Sequence, residues 1–582
     1  MSQISVLTER KKMNPIQLSR RAFLQSSMAA AGGALFPVSG LIGSEPEIHL
    51  CPKSQPPART LAALRLEELT SFAWDMRLTL SCLQGIANRS QPQLYLLHDR
   101  YDELWLDWLR ERGDVDRIEW LEVGQVFERF LPVSAPLYVT DPDVPASVNV
   151  ATMLASVYGG LVATPNTLGL FKLRFGTEAN ALAAGLDLRS LGWKKDVDVY
   201  RWAFEHLENT LSRQAICILD PHEVALRDYL VEFKIPILWI SGPRDARNNP
   251  QASSEEEMQF ARETLMRWPP NIPCLGWTTS GNKEGGIGED AGIDLTSECA
   301  KFNPCTAFDA YSPTVGNLSV HSGTTATLRQ TVPPITLERD KVYLAFIRSD
   351  GDGWNFQRHY YRKLFDDPKH GAVPIGWQLG STAIDGQPDI LDYYYKHARP
   401  GDCFVNALTG IGYIHETRYA KNYPPEQRAQ IWKEYLRLSG IYLARLDATV
   451  MCTYQEMQPE LLGLIAVTPG VHGLFSNYGR TDQTTLDNLV TEVNGVPVFR
   501  AMNRPPFILT YTPSARRRAE QFMIKEITGW TPAHRPAFLF VFVANWLTNM
   551  EMLENIAREL GKGYVPVRPD QLVSLYRQFQ DT

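Results

Sequence analysis

The chain has 582 residues, of which 44% are apolar and 21% are charged, and its formal net charge is −7. This balance is typical of a globular protein with large apolar cores, and the length predicts about three to five folding units. The chain has no basic stripe of the kind that binds nucleic acid. No run of 18 apolar residues occurs outside the N-terminus, so a multispan membrane protein is not expected.

The first 44 residues have the layout of an export signal. Residues 1–21 hold five basic side chains against one acid, and residues 22–44 carry no charge. Ser19–Gln25, with the sequence SRRAFLQ, resembles a twin-arginine signal. We therefore expect the twin-arginine export machinery as a partner, a periplasmic or secreted location, and no stable membrane span after signal removal. A basic tail beside a short membrane anchor is the alternative.

The N-terminal half of the mature chain alternates between short apolar strands and helices. Residues 45–57 contain four prolines and are predicted to be a linker. Residues 58–335 are predicted to be an α/β region with more than one subdomain, because strands and helices alternate. Its predicted strands are Leu94–Leu97, Pro136–Val139, Ala215–Leu219 and Ile235–Ile240. The predicted helices are 79–89, 101–112, 148–157 and 222–233. Residues 276–335 are rich in Gly, Ser and Thr and are predicted to form long irregular loops.

Residues 336–582 show a second alternating run. Helices are predicted between several of its strands, for example Pro425–Ser439 and Met550–Leu560. The predicted strands are Val342–Ile347, Ile375–Leu379, Cys403–Ala407, Ala448–Thr453, Gly473–Asn477, Val496–Arg500, Phe538–Val543 and Tyr564–Val567. Seven or eight strands with intervening helices predict a C-terminal (β/α) barrel-like domain. An open doubly wound sheet is the alternative.

Two carboxylates follow the first strand of this domain. In a (β/α) barrel the active site lies where strands end, and Asp350 and Asp352 stand in the segment RSDGDGW at that position. Because they are two residues apart, their side chains leave the same face of an extended segment. Such a pair can divide acid and base roles or bind a cation. A simple Asp-Gly turn is the alternative.

The third strand runs into the segment TGIGYIHE. Gly410 and Gly412 allow the backbone to approach a ligand closely, and Tyr413, His415 and Glu416 supply a hydroxyl, an imidazole and a carboxylate. The alternatives are a structural histidine and a glutamate in the first turn of a helix.

Glu456, after the fourth strand, is the candidate for a second catalytic carboxylate, or else a solvated loop acid. Amide and guanidinium groups at strand ends suit sugar hydroxyls, and aromatic rings stack on sugars or belong to the core. The remaining candidates for substrate binding are Trp354, Trp377, Asn477, Arg500, Asn545 and Trp546.

Several common motifs are missing from the sequence. It has no GxSxG nucleophile elbow, no Walker A loop and no dinucleotide fingerprint. No His-x-x-x-His pair occurs among the eleven histidines. We therefore expect no cofactor and assign no metal ligands.

The C-terminal half resembles the GxGYxYP putative glycoside hydrolase family. The resemblance is carried by Ser349–Asp352, Ile375–Trp377 and Gly410–Tyr413, with a further likeness at Cys82–Arg89. His415 and Glu416 stand where the family name implies Tyr and Pro. The resemblance implies a carbohydrate substrate.

We therefore expect an exported glycoside hydrolase that acts on a polysaccharide or oligosaccharide through paired carboxylates, chosen among Asp350, Asp352, Glu416 and Glu456. A metal-dependent polysaccharide deacetylase-like enzyme and a non-catalytic glycan-binding envelope protein are the alternatives.

Overall fold

The structure is a computed structural model. It describes residues 48–582 except 68, 70–72, 132–134, 176–184, 244, 246–248, 250, 280–284, 305, 307–314, 507 and 509. The predicted signal, residues 1–44, lies outside the described residues. Within the described part of the chain, no helix combines the length and apolar character that crossing a membrane requires.

The N-terminal half is built from three parallel sheets covered by helices. The sheets have the strand orders β2-β1-β3, β5-β4-β6 and β10-β9-β7-β8. The strands are β1 Thr60–Arg65, β2 Leu94–Leu97, β3 Arg117–Trp120, β4 Leu137–Val139, β5 Leu161–Ala163, β6 Leu186–Asp187, β7 Ile216–Ile218, β8 Ile237–Leu238, β9 Ile272–Gly276 and β10 Lys301–Phe302. The α-helices are Ala73–Asn88, Arg100–Arg112, Val123–Phe130, Ser147–Tyr158, Pro165–Phe175, Asp196–Leu207, Arg227–Phe233, Ser254–Arg267, Glu289–Glu298 and Leu318–His321, with 3₁₀ turns at Leu188–Leu191 and Glu208–Thr210.

The C-terminal half is dominated by one curled sheet of nine strands with the order β16-β17-β15-β14-β13-β12-β11-β18, and β19 also pairs with β11. These strands are β11 Val342–Arg348, β12 Ile375–Leu379, β13 Asp402–Asn406, β14 Val450–Cys452, β15 Gly473–Ser476, β16 Val490–Val493, β17 Val496–Arg500, β18 Ala537–Val543 and β19 Tyr564–Pro566. The α-helices are Trp354–Arg358, Tyr360–Phe365, Ala383–Gly386, Pro388–Lys396, Pro425–Arg445, Pro459–Ala466, Pro513–Gly529, Met550–Leu560 and Pro569–Gln580, with 3₁₀ turns at Leu486–Asn488 and Asn545–Leu547.

Helices cover the outer face of this sheet, so its central strands are buried on both faces. β11 and β18 are fully buried and pair in parallel along seven residues, from Val342 opposite Ala537 to Arg348 opposite Val543. Their nearly continuous apolar sequences are typical of such doubly covered parallel strands. Aromatic rings fill the concave face: Phe475 contacts Phe499 and Phe540 at centroid distances of 5.2 and 5.3 Å.

The next-to-last strand at one end of the curled sheet, β17, contacts the strand at the other end, β18, at one point. The end of β17 approaches β18 through a parallel bridge between Ala501 and Phe540. Next to it, the buried Asn503 side chain bonds both backbone groups of Phe542: Nδ2 donates to the carbonyl at 2.9 Å, and Oδ1 accepts the N–H at 2.8 Å. Asn503 thus supplies the hydrogen bonds that a neighbouring strand would otherwise make.

Buried polar contacts join the two halves of the chain. Arg358 contacts Asp102 at 3.0 Å with both side chains at most 1% exposed. His321 and Asp389, both fully buried, lie 2.8 Å apart. Because loss of one partner would leave an uncompensated polar or charged group in the interior, such pairs hold the halves in one arrangement.

The predicted mixed α/β class is confirmed, and the sheet is open in its strand order and curled. The full (β/α) barrel stays a prediction. The prediction of irregular loops over 276–335 is wrong in part, because Glu289–Glu298 forms a helix. The Gly-rich composition of the segment gave no sign of this ten-residue helix, which begins directly after Gly288.

The closure by Asn503 gives a test of the fold. We expect Asn503→Ala to lower the free energy of unfolding by about 1–3 kcal/mol, because it leaves two buried backbone groups without partners. Urea denaturation measures the change. Asn209→Ala, at an exposed asparagine, is the control and is expected to change the value by less than about 0.5 kcal/mol. Equal changes in the free energy of unfolding for the two variants would contradict the role assigned to the Asn503 hydrogen bonds.

Candidate active site

The turn after β11 carries a carboxylate at the carboxyl edge of the curled sheet. Asp350 has a φ of +63°, and Gly351 follows it where a Cβ would lie 1.6 Å from the carbonyl oxygen of Gln378. The turn expected from the Asp-Gly sequence is therefore present, and it also positions the acid. The Asp350 carboxylate accepts a hydrogen bond from the Tyr478 hydroxyl at 2.8 Å and another from the Ser349 hydroxyl.

The surroundings of Asp350 favour its protonated form. Burial raises the pKa of the Asp350 carboxyl well above its usual range, and the charges of Asp352 and Glu289 raise it further, against the opposing hydrogen bonds from Ser349 and Tyr478. Asp352 is itself 6% exposed. Like charges in a partly desolvated site cannot all ionise at low cost, so the proton stays on Asp350 to higher pH than on an ordinary aspartate.

Glu289 comes from the other half of the chain. It is exposed at the start of helix Glu289–Glu298 and accepts a hydrogen bond from the Tyr413 hydroxyl at 3.2 Å. One turn further along the same helix, Asp294 contacts Nδ1 of His415 at 2.8 Å. The helix thus places two carboxylates over residues that follow β13.

Aromatic rings lie beside the residues that follow β13. The His415 and Tyr454 rings are parallel, with an interplanar angle of 2° and centroids 5.3 Å apart. Tyr454 also contacts Tyr413 at 5.2 Å and Tyr478 at 5.4 Å. We call the following residues the acidic–aromatic cluster: Trp277, Glu289, Asp350, Asp352, Tyr413, His415, Tyr454 and Tyr478. Several of them, among them Trp277, Asp350, Tyr454 and Tyr478, are partly exposed, so the cluster faces solvent.

Backbone hydrogen bonds dock the helix and its neighbours on the segment after β13. Asn303 and Tyr413 exchange backbone hydrogen bonds in an antiparallel bridge, both at 3.0 Å. The His415 N–H donates to the Ser297 hydroxyl at 2.9 Å, and the Ala420 N–H donates to the Ser297 carbonyl at 2.8 Å. The cluster is therefore assembled from both halves of the chain.

Gly410 and Gly412 allow the segment after β13 to pack closely against neighbouring protein atoms. A Cβ on Gly410, whose φ is +71°, would lie 2.1 Å from the Ser439 hydroxyl, and a Cβ on Gly412 would lie 2.5 Å from the Phe302 ring. Both positions require glycine for these close approaches. The atoms that come close to both glycines here are protein atoms, and the predicted approach of a ligand stays a prediction.

Glu416 lies away from the solvent-facing cluster. It is fully buried and accepts hydrogen bonds from the Thr409 hydroxyl and from the backbone N–H groups of Tyr454 at 2.7 Å and Gln455 at 3.3 Å. Burial raises the pKa of Glu416, and these hydrogen bonds oppose the increase. The carboxylate ties the segments after β13 and β14 together, and the predicted catalytic role of Glu416 stays a prediction.

Glu456 belongs to a neighbouring polar group. Its carboxylate accepts hydrogen bonds from Asn477 at 2.7 Å and Thr481 at 2.9 Å, and it lies 3.5 Å from Nε of Arg500. The structure therefore brings together three predicted residues, Glu456, Asn477 and Arg500, but their polar groups contact one another. Asn477 directly precedes Tyr478, so this group borders the acidic–aromatic cluster.

The remaining predicted binding residues are mostly internal. Trp354 is fully buried, and Trp377 is 1% exposed with Nε1 donating to Asp402 at 2.9 Å, so neither ring is open to stack on a sugar. Asn545 is fully buried and accepts a hydrogen bond from Arg348 at 3.1 Å. Trp546, in the short turn after β18, is partly exposed at the same edge of the sheet. Of these four, Trp546 alone is open to solvent.

Sequence reasoning missed the cluster residues Trp277, Glu289, Tyr454 and Tyr478. Two of them carried a usable signal, because Tyr454 and Tyr478 follow strands β14 and β15 within two residues. Trp277 and Glu289 lie in a different domain, and the sequence contains no local sign that they reach this edge.

Within the described residues, no three His, Cys, Asp or Glu side chains are grouped so that they fit a metal ion.

Family models match most of the chain. "GxGYxYP_N 1st domain" matches residues 64–128, "GxGYxYP third domain" matches 213–323, and "GxGYxYP putative glycoside hydrolase C-terminal domain" matches 340–577. The cluster therefore draws on residues of the third and the C-terminal domain models. No curated protein matches this chain.

A solved structure has a similar fold. The crystal structure of "a putative hydrolase from Bacteroides thetaiotaomicron" aligns with a TM-score of 0.72 and 18% identity, over 90% of this chain and 96% of that one. A "putative polysaccharide deacetylase from Mycobacterium smegmatis" and "peptidoglycan deacetylase PdaC from Bacillus subtilis" have TM-scores of 0.29 and 0.23, with 11% and 12% identity, over 44% and 42% of this chain and 96% and 94% of theirs. At these two scores the likeness supports no statement about this chain.

The raised pKa of Asp350 makes stability depend on pH. Between the pKa of the unfolded chain, near 4, and the higher pKa of the folded protein, folding is coupled to proton uptake, so the wild type loses stability as pH rises. Asp350→Asn removes this loss. We expect its free energy of unfolding, relative to wild type, to increase by at least about 1 kcal/mol from pH 4 to pH 7.

Urea denaturation at a series of pH values measures this difference. The control is Asp340→Asn, at an aspartate whose side chain is 77% exposed, and its difference from wild type is expected to stay within about 0.5 kcal/mol. A difference for Asp350→Asn that does not vary with pH would contradict the assigned environment.

Proposed function

We propose that the chain, which belongs to the GxGYxYP family, hydrolyses glycosidic bonds of a polysaccharide or oligosaccharide at the acidic–aromatic cluster. The observation that carries the proposal is the position of the Asp350 carboxyl at the carboxyl edge of a mostly parallel sheet, where burial and two neighbouring carboxylates raise its pKa well above the usual range. Active sites of (β/α) folds lie at this edge. Among the predicted acids, Asp350 and Asp352 are retained in this role, whereas Glu416 and Glu456 are not.

Glycoside hydrolysis requires an acid and a second carboxylate. Asp350 is the acid: it donates its proton to the glycosidic oxygen as the bond to the anomeric carbon breaks. Burial and the neighbouring charges raise its pKa, so the proton stays on this carboxyl to higher pH than on an ordinary aspartate. Tyr478 and Ser349 fix the orientation of the carboxyl by hydrogen bonds to its two oxygens.

The second carboxylate is Glu289 or Asp352. Glu289 reaches the cluster from the third domain and is exposed, so a substrate can reach its carboxylate. Asp352 follows Asp350 on the same turn and is nearly buried, a position from which it keeps Asp350 protonated. We assign the base or nucleophile role to Glu289 and the supporting role to Asp352.

The rings of Trp277, Tyr454 and Tyr478 are partly exposed beside the acids. Aromatic faces bind the apolar C–H faces of sugars, while their hydroxyl and N–H groups reach the sugar hydroxyls. This arrangement supports a saccharide as the substrate. We also propose that residues 1–44 direct the enzyme to the periplasm or the exterior, where polysaccharides are accessible.

Replacement of the two acids separates their roles. We expect Asp350→Asn and Glu289→Gln each to lower kcat/KM at least 100-fold on the glycans that the wild type cleaves, because each removes one member of the acid–base pair. On an aryl glycoside with a 2,4-dinitrophenolate leaving group, Asp350→Asn is expected to lose far less, since that leaving group departs without a proton. Glu289→Gln is expected to lose activity on both substrates.

Reducing-sugar release from a panel of polysaccharides, followed by kinetics on the cleaved one, measures these effects. Asp340→Asn is the matched control and is expected to keep the wild-type rate. Full activity of both Asp350→Asn and Glu289→Gln would contradict the proposal, as would the absence of cleavage of every glycan by the wild type.

A further inference from the structure

Two adjoining cavities open in the N-terminal half, on elements separate from the acidic–aromatic cluster. Their volumes are about 580 and 330 Å³, and both are bordered by Asp141, Pro142 and Pro145, so they lie on either side of the segment that follows β4. We call the two cavities together the N-terminal groove. Its polar and aromatic lining residues include Trp74, Asp75, Asp141, Asn166, Trp193 and His222, and the larger cavity is also lined by Arg189 and Lys194.

The position of the groove follows from the strand order. In the sheet β5-β4-β6, the chain passes from β4 to its neighbour β5 and then crosses to β6 on the other side of β4. The two connections therefore run in opposite directions across the sheet. The larger cavity lies between the segment after β4 and the segment after β6, lined by Asp141–Pro145 on one side and by Arg189 and Gly192–Lys194 on the other. A crevice at such a switch point, outside the carboxyl ends of parallel strands, is where open α/β sheets bind ligands.

The groove does not suit a phosphate or another anion. Phosphate sites at this position use free backbone N–H groups of a glycine-rich turn. Here the N–H groups of Asp141, Asp143 and Ala146 already donate to Ser147 Oγ at 2.8 Å, to Asp141 Oδ1 at 3.0 Å and to Asp196 Oδ1 at 3.1 Å. Pro142 and Pro145 have no N–H. Of the two cations on the larger cavity, Arg189 already pairs with Asp187 at 2.6 Å, and the carboxylates of Asp141 and Asp143 offset the charge of Lys194.

The lining suits a neutral polyhydroxylated ligand. Trp74 and Trp193 are partly exposed, and each lines one of the two cavities. Their rings are fixed: Trp74 Nε1 donates to the His222 carbonyl at 2.5 Å, and Trp193 packs edge-on against Trp202 at 5.6 Å. Flat rings with carboxylate and amide groups between them are the chemistry that binds successive sugar units.

We propose that the N-terminal groove is a second carbohydrate-binding site, which holds a stretch of a neutral polysaccharide away from the catalytic cluster. The inference rests on the proposed function only for the class of the ligand. Trp74 and Trp193 stack on sugar rings, and the carboxylate of Asp141, which borders both cavities, accepts hydrogen bonds from sugar hydroxyls between them.

The test uses the full chain with Asp350→Asn as background, so that bound glycan is not cleaved. Affinity electrophoresis in gels containing hydroxyethyl cellulose, xylan, mixed-linkage β-glucan or glycol chitin gives a dissociation constant for each polymer. We expect Trp74→Ala and Trp193→Ala each to raise the constant for the retained polymer at least tenfold, while Trp74→Phe and Trp193→Phe, which keep a ring, raise it less. Trp120→Ala, at a tryptophan that is 49% exposed outside the groove, is the control and is expected to change nothing.

Three results would overturn the inference: no polymer retards the protein, the alanine variants at Trp74 and Trp193 bind as tightly as Trp120→Ala, or inorganic phosphate or ATP binds wild type and is lost in Trp193→Ala. Failure of the groove and failure of the proposed function are distinguishable. If groove variants lose binding while Asp350→Asn does not impair cleavage of any glycan, the groove stands and the catalytic proposal falls. If Asp350→Asn abolishes cleavage while groove variants bind normally, the catalytic proposal stands and the groove proposal falls.

Discussion

The contact between helix Glu289–Glu298 and the segment Gly410–Glu416 is the interaction on which the candidate site depends. It combines a backbone bridge between Asn303 and Tyr413, the Ser297 hydrogen bonds, and the pair of Asp294 and His415. Gly412 lets this segment approach Phe302 within contact distance. Without the docked helix, the carboxyl edge of the curled sheet would keep Asp350 and Asp352 but would lack Glu289.

The same contact accounts for the departure from the family signature at His415. An aromatic ring is retained at the position where the family name implies Tyr, and it stacks face to face on Tyr454. The imidazole adds a polar partner for Asp294 of the helix, at 2.8 Å. Glu416, where the name implies Pro, binds the backbone after β14 and so holds Tyr454 in that stack. Both residues therefore supply contacts that hold the cluster together in this chain.

Local sequence patterns were sufficient for much of the fold. The mostly apolar runs at Ile375–Leu379 and Val496–Arg500 coincide with observed strands, because strands buried on both faces consist largely of apolar residues. The rule that active-site residues follow strand ends selected Asp350 and Asp352, because an apolar run directly precedes them. The rule places a residue at an edge but does not say what its side chain contacts, so it did not anticipate that Glu416 accepts backbone hydrogen bonds or that Glu456 pairs with Asn477. It also missed Trp277 and Glu289, which reach the site only through contact between domains.

The central claim is that the carboxyl group of Asp350 is held protonated within a group of carboxylates from two domains. Carbon-13 NMR of protein labelled at the aspartate carboxyl carbons, with the signal assigned by its loss in Asp350→Asn, measures that titration directly. The account predicts that Asp350 titrates well above the ordinary aspartate value of about 3.9, and that Glu289→Gln lowers its pKa by removing a neighbouring negative charge. A signal that titrates at or below the ordinary value, or that is unchanged in Glu289→Gln, would contradict it.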